Sequence, residues 1–311
     1  MISTKSKKII PLNDDDMFTQ IFNDKNNLPI IEEFIADYFG YNLNDVRGNI
    51  SIESRKLFKN TIKEKGKEVD LLLTYKDRKI DIEMSTGITA AIINRNITFL
   101  SNIYSMSTEE GKTYNEIKKA IQINLLTKYE HKELKISFSY ANIEKGIILS
   151  EFPRIDMINM EIGKKMCYTG EEETDKLIKW SKVFMSETKE ELNAALKVTV
   201  SKKSKELLMN AVSRLSGDEE MVKKYEEKTK WQYTQELYWK DKFGELDKKE
   251  EDLDKKEEIL EKREQLLDNT IQTKEYEKSI EIAKNLLKEN CNIEFIVKVT
   301  GLSKEELSKI N

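Results

Sequence analysis

Histidine is almost absent: His131 is the only one in 311 residues. Imidazole catalysis needs a histidine placed beside a nucleophile or a metal. His131 lies in Lys128-Tyr129-Glu130-His131-Lys132-Glu133, which reads as a surface loop. One histidine cannot build an HNH-type centre or a histidine-rich zinc site. Two cysteines, Cys167 and Cys291, make no disulfide framework and fit a reducing cytoplasm. There is no Walker A loop and no G-x-G-x-x-G. No apolar run approaches the length of a membrane helix, so no membrane partner is expected. Met1-Ile2-Ser3-Thr4-Lys5-Ser6-Lys7-Lys8 has basic residues with no apolar stretch behind them, unlike a signal peptide. The net charge of −4 gives no general attraction for a polyanion, so nucleic acid would need a local basic patch. Carboxylates and a metal are the tools left to an enzyme built from this chain.

What is plentiful is charge, 35% against 38% hydrophobic, so part of the chain must be solvated helix rather than core. The length suits one large or two modest domains. The most informative stretch is Glu68–Ser85, which reads as a hairpin. Its first strand, Val69–Thr74, is apolar except for Asp70, as in a strand buried on both faces. In the second, Ile80, Ile82 and Met84 share one face and Asp81, Glu83 and Ser85 the other. A two-residue turn at Asp77-Arg78 pairs Asp70 with Ser85 and Leu72 with Glu83. Asp70 and Glu83 then become diagonal neighbours roughly 7–8 Å apart; a slip by one residue would separate them. Two such hard oxygen ligands suit Mg²⁺ or Mn²⁺. The same acids also fit the solvated face of an edge hairpin.

Residues 11–40 read as two helices. Asn13 or Asp14 caps the first, and Met17, Phe18, Ile21 and Phe22 form its apolar face. The second places Ile30, Ile31, Phe34, Ile35, Tyr38 and Phe39 together and ends at Gly40. Asp15 and Glu33 are candidates for an extra acid, or simply parts of a solvated face. Residues 50–58 alternate as a first strand. After the hairpin a helix runs to about Ser105 with Ile92, Phe99, Leu100 and Ile103 buried. Arg95 sits one turn inside it, either as a surface cation or as a guanidinium holding a carboxylate or a phosphate. Strands are expected at Ala120–Leu126, with Gln122 and Asn124 on the polar side, at Leu134–Tyr140 and at Met157–Ile162.

Several blocks together resemble the PD-(D/E)XK nuclease superfamily, in its recombination-promoting nuclease or transposase-like branch. They are Asp15-Asp16-Met17-Phe18-Thr19-Gln20-Ile21-Phe22, Val69-Asp70, Ile82-Glu83-Met84-Ser85, Arg95 with the helix it heads, Ile121–Leu125, and the C-terminal Ala283–Leu287 and Thr300–Ser303. Their order and spacing carry the resemblance. It implies an α/β fold, a restriction-endonuclease-like mixed sheet flanked by helices, with an all-helical C-terminal extension. It implies a Mg²⁺- (or Mn²⁺-) dependent DNA endonuclease. Asp70 and Glu83 would be the metal ligands, Ser85 the third catalytic position, and Arg95 and Asp15 DNA-binding or site-supporting residues. Where the superfamily has lysine, and this branch more often a carboxamide, the chain has Ser85. That departure leaves a second reading, a nuclease-fold DNA-binding or adaptor protein with weakened or lost cleavage.

From about Glu171 the pattern is helical, with Trp180, Phe184, Leu192 and Leu196, then Leu207, Leu208, Val212 and Leu215, as buried faces. Trp231, Tyr233, Tyr238 and Trp239 suit helix packing better than a base-stacking platform. Leu246, Leu253, Leu260 and Leu267 recur every seventh residue, with Glu250, Glu257 and Glu264 at the second seam position. This predicts a solvated spacer helix or a weak self-association seam. The tail reads as three short helices, a helix-turn-helix or a helical clip, the last capped by Ser303 and Glu306. The expected division is 1–170 nuclease-like core, 171–240 helical subdomain, 241–272 charged heptad helix and 273–311 tail. Homodimerisation would use the 241–272 helix or the nuclease core.

Overall fold

The computed structural model describes residues 8–57, 67–107, 113–197 and 200–310. The basic N-terminal residues through Lys7, and Phe58 of the first expected strand, lie outside them. The chain divides into two compact units, 1–229 and 230–311.

The first unit opens with α1 (Asp15–Phe22), started by Asp14, whose carboxylate accepts from the Asp16 and Met17 amides. α2 (Leu28–Phe39) carries Pro29 in its first turn and ends on Gly40, whose φ of 68° suits a residue without Cβ. α3 (Leu43–Val46) leads to β1 (Ile50–Ile52), and a small ribbon follows from β2 (Lys56–Leu57) and β3 (Lys67–Glu68). The central hairpin is β4 (Leu71–Tyr75) and β5 (Arg78–Ser85). Then come α4 (Ala90–Ser105), β6 (Lys119–Leu126), β7 (Lys135–Asn142) and β8 (Ile147–Asn159). Helices close the unit: α5 (Met160–Lys165), α6 (Glu172–Phe184), α7 (Lys189–Ala195) and α8 (Lys202–Leu215).

Six strands form one mixed sheet in the order β1-β4-β5-β6-β8-β7. β4 and β5 are antiparallel, while β5, β6 and β8 run parallel. Parallel neighbours need a crossover, and α4 supplies the one between β5 and β6. One face of β5 presents Ile80, Ile82 and Met84 to the main core, with Phe18, Phe34, Trp180 and Phe184. Phe34 meets Trp180 edge-on at 5.2 Å between ring centroids. On the other face Leu72 packs with Phe99, Leu100 and Ile103 of α4. Full burial of such side chains stabilises by about 1.5–3 kcal/mol each. The sheet is therefore clamped from both sides, and the acids of β5 lie under α4.

Three expectations need correction. The hairpin turn is Lys76-Asp77 rather than Asp77-Arg78, so Leu72 pairs with Asp81 and Tyr75 with Arg78. Lys76 accepts φ of 51°, a region side-chain-bearing residues seldom adopt. The stretch Met157–Ile162 is strand only to Asn159; the Asn159 side chain then accepts from the Ile162 amide and starts α5. Glu33 is not an acid of the hairpin site. Its carboxylate accepts from the Ser201 amide at 3.0 and 3.1 Å and from Ser204 Oγ at 3.0 Å, anchoring the start of α8.

α9 (Glu219–Lys288) begins in the first unit and continues through the second. Trp231, Tyr233, Tyr238 and Trp239 are exposed on it rather than packed, and the four heptad leucines are exposed too. α10 (Ile293–Thr300) and α11 (Lys304–Ser308) fold back so that Ile296, Leu302 and Leu307 bury Ala283 of α9. Ser303 and Glu306 form the expected reciprocal cap.

The main core lies within residues 1–229. Removing residues 246–311 is therefore expected to leave a cooperative thermal transition close to that of the full chain. Differential scanning calorimetry checks this; a broad, non-cooperative trace would show that the second unit belongs to the core.

Candidate active site

The observed register sets Asp70 across from Glu83, one position beyond the Leu71–Ile82 pair. Two bonds tie the strands together here. The Asp70 amide donates to Glu83 Oε1 at 3.0 Å, and the Met84 amide donates to Asp70 Oδ2 at 2.9 Å. Asn23 Nδ2 holds the Asp70 carbonyl at 2.9 Å, and Arg55 Nε holds the Val69 carbonyl at 2.8 Å. This pins the chain where it leaves β3.

α4 supplies the cation. Arg95 Nη2 donates to Glu83 Oε2 at 3.1 Å and lies 3.5 Å from Ser85 Oγ. Its guanidinium sits over the Phe99 ring, 5.7 Å from the centroid. The Arg95 side chain is 42% exposed and that of Glu83 only 2%, so Arg95 bridges the buried acid to solvent. Asp15 opens α1, pairs with Lys228 at 3.2 Å, and its charge acts on Asp70. Asp70, Glu83, Ser85 and Arg95 thus stand in direct contact or one residue apart, and the Asp15 charge reaches Asp70.

Below this lies a buried polar layer that the sequence reading did not assemble. β6 pairs Gln122 with Asp81 and Asn124 with Glu83. Gln122 Nε2 donates to Asp81 Oδ2 at 2.7 Å, and Asn96 Nδ2 of α4 donates to Asn124 Oδ1 at 2.8 Å. Among the described residues, Asp81 Oδ1 and Asn96 Oδ1 are buried without a hydrogen-bond partner. The alternation of Gln122 and Asn124 marked a polar face, but only cross-strand pairing connects it to the acids. Arg55 and Asn23 carried no signal, because each arrives from a separate element.

Three carboxyls share this region, and all three hold protons more tightly than usual. Burial raises Asp70, with the Asp15 charge adding and the Met84 amide, Arg95 and Arg55 opposing. Burial, then the charges of Asp81 and Asp70, push Glu83 well up. Burial, against the Gln122 hydrogen bond, raises Asp81 to about 7. Packed acids of this kind favour a bound cation.

The donor set fits a divalent ion. Carboxylate oxygens that accept one hydrogen bond keep a further lone-pair site. Among the described residues no three His, Cys, Asp or Glu side chains are grouped to hold a metal. A divalent cation held by Asp70 and Glu83 would take these two carboxylates as ligands.

A hairpin of paired acids, a crossover helix and a parallel strand, in a mixed sheet flanked by helices, define a restriction-endonuclease-like α/β fold. The chain belongs to the PD-(D/E)XK nuclease family transposases, whose family model matches residues 12–242. Among curated proteins, none matches it. Nucleases of this superfamily typically use divalent metals, and among the described residues no helix is long and apolar enough to cross a membrane.

The raised acids make a prediction about pH. Each binds its proton more tightly folded than unfolded, where carboxyls titrate near about 4. The stability they permit is present below that value and lost as pH rises through the folded value, about 7 for Asp81. Metal-free protein should melt at least about 3 °C lower at pH 8 than at pH 5, on the order of 1 kcal/mol. Millimolar Mg²⁺ should restore the difference at pH 8. A melting profile flat in pH and indifferent to Mg²⁺ would contradict this.

Proposed function

We propose that the protein is a divalent-metal-dependent DNA endonuclease, hydrolysing phosphodiesters in the manner of a recombination-promoting or transposase-like nuclease. The observation that carries the reading is the Asp70–Glu83 pair under Arg95, with the Asp70 amide on the Glu83 carboxylate and the Met84 amide on the Asp70 carboxylate. Asp70 and Glu83 would hold Mg²⁺ or Mn²⁺. Bound there, the ion would acidify a water and offset charge on the scissile phosphate. Glu83 is oriented from both ends, by the Asp70 amide and by Arg95. Arg95, half in solvent, has guanidinium donors left for a phosphate oxygen beside the acids. Ser85 Oγ lies within reach of the same guanidinium and serves as a neutral acceptor that helps aim it. Asp15 pairs with Lys228 at the outer edge and adds negative field at Asp70.

Ser85 itself favours a second reading. It brings no cation to the strand, so a nuclease-fold DNA-binding or adaptor protein remains the alternative. Nicking of supercoiled plasmid with Mg²⁺ and with chelator separates the two. Nicking that requires the metal supports the enzyme. DNA binding without metal-dependent nicking supports the alternative.

A further inference from the structure

Between residues 239 and 271, α9 carries an apolar line that no described part of the chain covers. Leu246, Leu253, Leu260 and Leu267 recur on it every seventh residue, each 53–63% exposed. Trp239 continues the line one heptad earlier, and exposed Phe243 and Ile271 extend the second seam position beyond its glutamates. Charge is ordered on either side. The residue after each leucine is acidic: Asp247, Asp254, Glu261 and Asp268. The residue before each second seam position is basic through most of the line: Lys242, Lys249, Lys256 and Arg263.

We propose that a second copy of this chain closes the line, parallel and in register, as a two-stranded coiled coil. Leucines recurring every seventh residue form one seam position of such a pair, and the flanking charges select partner and direction. In a parallel, in-register pair each basic flank meets the acidic flank of the other copy, one heptad on. Lys242 then faces Asp247 of the second copy, and Lys249 faces Asp254. Lys256 faces Glu261, and Arg263 faces Asp268. Every pairing is of opposite sign. The second-position glutamates Glu250, Glu257 and Glu264 each face their own counterpart in this arrangement, a like-charge cost that limits affinity and that the basic residue preceding the equivalent position in the other copy offsets. An antiparallel pair would set basic flank on basic flank and acidic on acidic, so like charges oppose it throughout. The dimer carries two copies of the Asp70–Glu83 site in one particle, and it stands whether or not that site cleaves DNA.

The test is sedimentation equilibrium on the full-length chain and two charge-reversed forms. One form carries Lys249→Glu, Lys256→Glu and Arg263→Glu; the other carries Asp254→Lys, Glu261→Lys and Asp268→Lys. The unmodified chain should dimerise at micromolar concentration. Each reversed form alone should self-associate at least about a hundredfold more weakly, with its helical circular dichroism retained. Mixing the two should restore a one-to-one heterodimer. A Leu246→Cys substitution with Cys167→Ser and Cys291→Ser should form an intermolecular disulfide on oxidation, because only the in-register parallel pair sets residue 246 beside itself. A monomeric unmodified chain, reversed forms that still dimerise, a mixture that stays monomeric, or no disulfide at residue 246 would each overturn the proposal.

Discussion

Arg95→Ala is expected to lower Mg²⁺-dependent DNA cleavage by about 10²–10³, the usual effect of losing one preorganised donor, about 2.7–4 kcal/mol. The reason lies in where this chain keeps its positive charge. Strand position 85 holds serine, and the nearest cation arrives from α4, 3.1 Å from Glu83 and 3.5 Å from Ser85. Without Arg95, Glu83 Oε2 loses its donor in a side chain only 2% exposed, and its carboxyl should titrate higher still. Adding Ser85→Lys to Arg95→Ala returns a cation to the same acid from the strand and should recover at least a tenth of the lost rate. Ser85→Lys with Arg95 present should gain little, because an ammonium would be forced against the guanidinium. Cleavage rates of the three variants at fixed Mg²⁺ decide this. A large gain for Ser85→Lys alone, or no loss for Arg95→Ala, would show that Arg95 does not serve the reaction.

Asp70→Asn should separate activity from stability. Asparagine keeps an oxygen to accept from the Met84 amide, so the hairpin bond at 2.9 Å can survive. It removes one of the crowded carboxylates whose charge acts on Glu83 and Asp81. Cleavage should fall by at least about 10³ as the metal site is lost. Metal-free protein at pH 8 should instead melt higher by a few degrees, and Mg²⁺ should no longer raise its melting temperature. Calorimetry at pH 8 with and without Mg²⁺, beside the nicking rate, reads all three effects. A lowered melting temperature in the metal-free variant would show that Asp70 supports the fold rather than crowding the site.

The hairpin faces were legible in the sequence because side-chain direction along a strand has a period of two. The expected and observed registers differ by two residues, so Asp70, Glu83 and Ser85 keep one face in both. The turn itself was not legible. Lys76 takes positive φ without being glycine, asparagine or aspartate, the residues that announce such a turn. Asn159 looked like one more strand residue, yet its side chain caps a helix. The depth of the site was hidden for another reason. Gln122 and Asn124 alternate visibly, but their meeting with Asp81 and Glu83 depends on the parallel pairing of strands separated by a whole helix. Trp231, Tyr233, Tyr238 and Trp239 read as a packing cluster because large aromatics usually are; on α9 all four are more than half exposed.

The most direct test of the central claim, that Asp70 and Glu83 together hold the ion used for cleavage, is anomalous diffraction from a crystal grown with Mn²⁺. One peak is expected about 2–2.5 Å from an oxygen of each carboxylate, lost in Asp70→Asn crystals. A Mn²⁺ peak elsewhere, or none at this pair in protein that nicks DNA with Mn²⁺, would contradict the account.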